Sequence, residues 1–263
     1  MSDNKQMTFL GHLEELRWRL VRSAAVILIF AIVIWSFQEW IMDHFFLSMN
    51  KKDFITFRLM CDYFGICIEE IPIKMQSMTM GGQFSYALMM SFMGGVVVSF
   101  PFIFHQIWSF VKPGLKLNEI NATKGIVFYV SLLFFIGIIF GYFVVAPLSV
   151  QFFGSYQISK QIENNFTISS YMSTVISTIF YSGLLFLLPV ASYLLTRIGI
   201  ITPAFLRKFR KHSIVAVLIL AAIITPPDVI SQIIVSIPIF ILYEIGILVS
   251  ARAAKKMADA SIL

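Results

Sequence analysis

Apolar residues arrive in six blocks, at about 20–41, 85–108, 125–148, 171–195, 212–224 and 229–251, held apart by connections that carry charge, proline and glycine. A run of roughly 20 apolar residues crosses a bilayer core as an α-helix, so the long blocks predict membrane spans. The fifth block is short. Only residues 213–224 separate a basic cluster from Thr225-Pro226-Pro227-Asp228, too few to cross a core roughly 30 Å thick at about 1.5 Å per residue without local thinning or tilted neighbours. The Pro-Pro turn then sends the sixth segment straight back. Ahead of the first block, residues 8–20 change period: Leu10, Leu13, Leu16 and Leu20 recur every three or four positions, while Glu15 and Arg19 pair at i, i+4 on a polar side. That pattern predicts a helix lying at the membrane surface and anchoring the first span, with Glu14 a solvated neighbour.

Composition agrees with the block pattern. Of the 263 residues, 58% are hydrophobic and 13% charged, with a mean hydropathy of +0.84, whereas soluble domains carry about 25% charge. This is the composition of an integral membrane protein. A net charge of +6 raises nucleic acid as a partner, but the cations sit in short clusters between apolar blocks and so report topology instead. Fifteen of the 20 lysines and arginines fall in the N-terminus, the second and fourth connections and the C-terminus, which predicts that both termini are cytoplasmic. Glu14 and Glu15 precede the first block and no small-x-small cleavage pattern follows it, so it reads as a retained span. The expected organisation is one six-span domain over 1–251, with a cytoplasmic N-terminal amphipathic segment and a cytoplasmic tail at 252–263.

The first external connection, about 42–84, is long and contains Cys61 and Cys67 on the oxidising face, where they form either a disulfide or two unbonded thiols. Its Met-rich stretch, between Ile71-Pro72 and Gly81-Gly82, lies against the membrane, with methionines as packing contacts and not metal ligands. Pro101, Pro147, Pro189 and Pro238 fall in or at the ends of blocks and bend their helices, giving a curved bundle. Gly94-Gly95 and Gly137-x-x-x-Gly141 permit close helix approach, within the chain or to another membrane helix.

No catalytic constellation assembles. His12, His44, His105 and His212 are scattered, and neither H-E-x-x-H, G-x-S-x-G nor a phosphate-binding glycine loop is present. No metal or cofactor site is expected. His105 reads as an interfacial histidine. A small-solute or ion transporter places ionisable groups deep within its spans, but these cores are almost uncharged; Glu244 lies eight residues before Arg252, toward the cytoplasmic interface, where a basic neighbour is its expected partner. What remains is the cytoplasmic surface. There Glu119, in FVKPGLKLNE, follows the Pro113-Gly114 turn beside Phe110 and Leu115. A carboxylate so flanked accepts a bidentate hydrogen bond from an arginine while the apolar groups take a neighbouring hydrophobic segment. Glu15 is a second such acceptor, and for both the plain alternative is a solvated carboxylate.

Three ordered blocks carry a resemblance: HLEELRWRL at 12–20; Pro101 through Glu119, with Gln106-Ile107-Trp108, Phe110, Pro113, Leu115 and Glu119; and Thr225-Pro226-Pro227-Asp228-Val229 followed by Ser231-Gln232, Pro238 and Glu244-Ile245-Gly246. The chain resembles the TatC family, the multispanning component of twin-arginine protein translocases. The resemblance implies an all-α integral membrane protein with six transmembrane helices in a curved bundle, in the bacterial cytoplasmic (inner) membrane with both termini inside. It implies a receptor for twin-arginine signal peptides on folded cargo, in which Glu15 and Glu119 lie on the arginine-recognising surface with Arg17, Phe110, Pro113 and Leu115 around them. Thr225, Asp228 and Gln232 then fall where TatA- and TatB-type single-span proteins engage, in a complex holding several copies of this chain. Transport is driven by the proton gradient, without a cofactor. Two departures stand out. Leu187 occupies a position, just before Leu188-Pro189, where the family commonly has glutamate or glutamine, so any polar contact there must be rebuilt from Ser182 or Thr178, or be absent. The basic residues that often follow the loop glutamate are also missing, Lys124 being the next cation. The alternative, a proton-coupled small-solute transporter, is disfavoured by the uncharged cores and the lack of internal repeats.

Overall fold

The computed structural model describes residues 9–65, 67, 74–114, 125–159, 161, 164–224 and 229–262. The chain divides into two compact units, Met1–Phe37 with Leu88–Ser131, and Gln38–Ala87 with Leu132–Leu263.

The first unit is built on α1, Phe9–Ser36, and the inner part of α4, Gly82–Val111. Helix α1 runs 28 residues without a break, about 42 Å at the α-helical rise. The amphipathic stretch is therefore a direct extension of the first span and not a separate surface helix; no proline interrupts it, and the Glu15–Arg19 pair sits where the two patterns merge. Helices α1 and α4 approach closely at Gly95, where a Cβ would lie 2.8 Å from the Ile27 carbonyl oxygen and 3.0 Å from the Ala31 nitrogen. Ser91 and Ser99, one turn to either side of Gly95, are buried, and their hydroxyls have no hydrogen-bond partner among the described residues.

In the second unit, α2 (Gln38–Ile41) passes through a π-turn at Met42–Phe46 and a 3-10 turn at Leu47–Asn50 to α3, Ile55–Phe64. Gly65, at φ 66°, ends α3 in the left-handed conformation that glycine adopts without strain. Beyond it, Cys61 and Cys67 are joined by a disulfide, their Cα atoms 4.2 Å apart. A second π-turn, Gly141–Val145, separates α5 (Ile126–Phe140) from α6 (Ala146–Ser155), and Pro147 stands in the first turn of α6. Carbonyls of the two π-turns receive side-chain hydroxyls: Tyr142 donates to Phe45 at 3.1 Å, Tyr171 to Phe46 at 2.5 Å, and Thr56 to Phe143. Strand β1, Lys74–Gln76, pairs in parallel with β2, Asn165–Thr167, in the register Lys74 to Asn165.

The fourth span is two helices, α7 (Ile168–Leu185) and α8 (Leu188–Arg197). Thr167 caps α7 by accepting from the Ser170 amide at 3.2 Å. The break falls at Phe186–Leu187, just ahead of Pro189, which has no amide hydrogen to continue the ladder. Helix α7 packs tightly on α5 across Gly137 and Gly141, so that glycine pair serves contact within the chain. Helix α9, Pro203–Lys208, leads to α10, Arg210–Ile224, and α11, Val229–Ile262. Val145, Val217, Ala221, Val235 and Ile239 form a core at the meeting of these elements, with Phe140, Leu185 and Leu188 against it. Helices α8 and α11 share a polar seam in which Ser250 donates to the Ser192 carbonyl at 3.0 Å and its hydroxyl meets that of Thr196.

Among the described residues, five helical stretches are long and apolar enough to cross a membrane: Gly11–Ser36, Gly82–Val111, Ile126–Ser155, Ile168–Arg197 and Gln232–Lys255. Helix α10, at 15 residues, extends about 22 Å and falls short of a roughly 30 Å core.

Candidate functional site

Glu15 and Arg19 stand one turn apart on α1, and both arginine donors nearest the carboxylate converge on a single oxygen. Arg19 Nε donates to Glu15 Oε1 at 2.9 Å, and Nη2 bonds the same oxygen. The remaining nitrogen, Nη1, faces Gln106 on α4, 3.4 Å from its main-chain oxygen and 3.5 Å from its Oε1. Gln106 is 7% exposed and therefore fixed in place. The second carboxylate oxygen, Glu15 Oε2, is buried and has no hydrogen-bond partner among the described residues. Leaving a buried acceptor unsatisfied costs about 1–3 kcal/mol, and this oxygen has capacity for one more donor.

One turn before Glu15, His12 stacks on Phe110 with ring centroids 4.1 Å apart and planes inclined by 15°. The stack fixes the start of α1 against the inner end of α4 and sets an aromatic wall near the carboxylate. Arg17 and Glu14 are exposed, consistent with Glu14 as a solvated neighbour. Helix α4 ends in a 3-10 turn at Lys112–Gly114 that exposes Pro113. His105 is also exposed. Leu115 and Glu119 lie outside the described residues, as do Thr225 and Asp228. The structure thus brings Glu15 and Phe110 together with His12, Arg19 and Gln106. Spacing alone identified Arg19; Gln106 and His12 enter through the packing of α1 on α4, which no local pattern encodes.

Gln232, at the start of α11, donates to the Leu218 carbonyl of α10 at 3.1 Å and so ties the short helix to its neighbour. Glu244 pairs with Arg210 at 2.6 Å, a basic residue 34 positions earlier. Ser182 and Thr178, the groups available to rebuild a polar contact near Leu187, are each 2% exposed, and the Ser182 hydroxyl donates to the Thr178 carbonyl at 2.8 Å. Both are buried, and Ser182 packs against α5 at Gly137. Among the described residues no group of three or more His, Cys, Asp or Glu side chains is placed to hold a metal ion.

The family model for the Sec-independent protein translocase protein TatC matches residues 11–238. The chain is 35% identical over 263 residues to the Sec-independent protein translocase protein TatC of Blattabacterium sp. subsp. Periplaneta americana, covering 97% of this chain and 99% of that one. It is 36% identical over 239 residues to the Helicobacter pylori TatC, covering 91% and 85%, and 32% identical over 256 residues to TatCy of Bacillus subtilis, covering 97% and 93%. Its fold matches the crystal structure of the twin arginine translocase receptor TatC with a TM-score of 0.68 at 28% identity, over 92% of this chain and 99% of that one.

Proposed function

This chain belongs to the TatC family of Sec-independent protein translocase proteins, and from that membership we propose that it is the receptor for twin-arginine signal peptides and the core subunit of a translocase that exports folded proteins. It is a multispanning component of a transport system. The observation that supports the receptor reading is the buried Oε2 of Glu15, without a partner among the described residues, beside an Oε1 that already holds a guanidinium. A second guanidinium presents several donors in a planar fork and matches a carboxylate; a lysine ammonium, a compact hydrated point charge, does not match it in the same way. In this reading Glu119 supplies the second acceptor, Arg17 flanks the site, and Phe110, Pro113 and Leu115 take the apolar residues beside the arginine pair.

The distribution of lysine and arginine supports both termini facing the cytoplasm, in the bacterial inner membrane. Helix α10 is too short for an undistorted bilayer, so α10 and α11 draw the membrane thin where Thr225, Asp228 and Gln232 meet single-span helices of the TatA and TatB type. Several copies of the chain assemble around one cargo, and the proton gradient drives passage.

The deciding experiment places a photoreactive residue at the exposed positions 13 or 111, which flank the site, and offers a signal peptide with its arginine pair intact or changed to lysines. Crosslinks that form with arginines and vanish with lysines are the expected result. Equal crosslinking of both peptides, or none at either position, would overturn the assignment.

A further inference from the structure

Arg19 places on Glu15 the same chemical group that the proposed substrate would bring. Resting on the receptor reading above, we infer that Arg19 is a specificity-determining residue, a built-in competitor that an incoming arginine must displace and that a lysine cannot. Two of its donors occupy Glu15 Oε1, while Nη1 stands 3.4 and 3.5 Å from the two oxygens of Gln106, at the outer edge of hydrogen-bonding distance. Gln106 is thus a second acceptor, not yet closely engaged, within a short swing of the guanidinium. It is buried on α4, and α4 is packed against α1 at Gly95 and again through Phe110 and His12, so its distance from Glu15 is set by the fold.

The exchange proceeds as a transfer between acceptors. An arriving guanidinium takes the bare Oε2 and then shares or takes Oε1; Arg19, repelled by the new positive charge, moves onto the main-chain and side-chain oxygens of Gln106. A lysine offers one compact, strongly hydrated cation without the planar pair of donors that makes the carboxylate exchange favourable, so Arg19 keeps its seat. Discrimination then comes from a group that rejects the wrong ligand as well as from contacts to the right one.

The test measures binding of fluorescent signal peptides carrying Arg-Arg, Lys-Arg or Lys-Lys to the full-length protein in nanodiscs. Arg19→Gln should raise Lys-Lys and Lys-Arg binding about fivefold, the range expected of a partly exposed ion pair, and lower the preference for Arg-Arg over Lys-Lys. Gln106→Leu removes the side-chain oxygen of the receiving pair, leaving its main-chain oxygen, and should weaken Arg-Arg binding in the wild-type background but not in Arg19→Gln. Arg19→Lys keeps the charge without the fork, and should give an intermediate preference; it decides the matter if Arg19→Gln does not accumulate. An unchanged preference in these Arg19 variants, or a uniform loss for all three peptides, overturns the role of Arg19. Wild-type protein that does not prefer Arg-Arg at all overturns the receptor reading instead, so the two failures are distinct.

Discussion

Tyr171 donates its hydroxyl to the main-chain oxygen of Phe46, 2.5 Å away and 125 positions earlier in the chain, and thereby fastens α7 to the π-turn that follows the first span. The tyrosine is 6% exposed, and Asn50 Oδ1 lies 3.4 Å from the same hydroxyl. Tyr171→Phe removes the donor and leaves a buried carbonyl without it, at a cost of about 1–2 kcal/mol. Thermal unfolding in detergent should show a fall of several degrees for Tyr171→Phe and a smaller one for Tyr142→Phe, whose bond to Phe45 is exposed.

Overpacking at the α5–α7 contact should cost more. A Cβ at Gly137 would stand 2.7 Å from the Ser182 oxygen and 2.8 Å from the Gly183 Cα, atoms of a helix backbone that cannot yield as a side chain does. Gly137→Ala should destabilise by about 1–3 kcal/mol. Gly81→Ala is the control, because nothing lies within 4 Å of its added methyl. Comparable unfolding temperatures for the two variants would contradict the close approach.

The Cys61–Cys67 bond closes a loop over a sequence separation of six. A loop this short still removes enough freedom from the unfolded chain to contribute about 2 kcal/mol. Wild-type protein should resist a maleimide reagent until it is reduced, whereas Cys61→Ser should label at once at Cys67, which is exposed. Labelling of untreated wild type would mean that the bond is absent.

Arg210 and Glu244 form an ion pair at 2.6 Å with side chains 49% and 30% exposed. Solvent screening at that exposure limits its worth to about 1 kcal/mol or less. A double-mutant cycle should find a coupling of that size that declines as salt is raised. Arg252→Ala should leave the cycle unchanged; coupling of Glu244 to Arg252 in place of Arg210 would reverse the assignment.

Much of the fold was legible because membrane helices announce themselves by long uncharged runs: the predicted blocks at 85–108 and 171–195 fall inside observed stretches, and the block at 125–148 begins one residue ahead of one. The shortness of α10 was legible from the same count. The π-turns were not, since Met42–Phe46 and Gly141–Val145 differ from α-helix only by one residue of hydrogen-bond register, to which hydropathy is blind. Nor were β1 and β2, each three residues long and paired with the other across about 90 positions of the chain. At the site, Glu15 and Arg19 were legible because helical spacing makes them neighbours. Gln106 was not, because it reaches Arg19 across 87 residues through the packing of two spans. Glu244 showed both outcomes: a basic partner was expected on chemical grounds, while its identity as Arg210 depended on how α10 folds back along α11.

The parallel ladder between Lys74–Gln76 and Asn165–Thr167 imposes an order on biogenesis. A strand that precedes the second span can find its mate only after two further membrane passes have been synthesised and a later connection delivered to the same side. The disulfide at Cys61 and Cys67 needs no such wait, being closed within its own connection. The face that carries both features therefore matures in two stages, an early covalent closure and a late sheet. A nascent chain arrested before residue 165 would carry the first without the second, and protease access to the segment around Lys74 would time the moment at which that surface is completed.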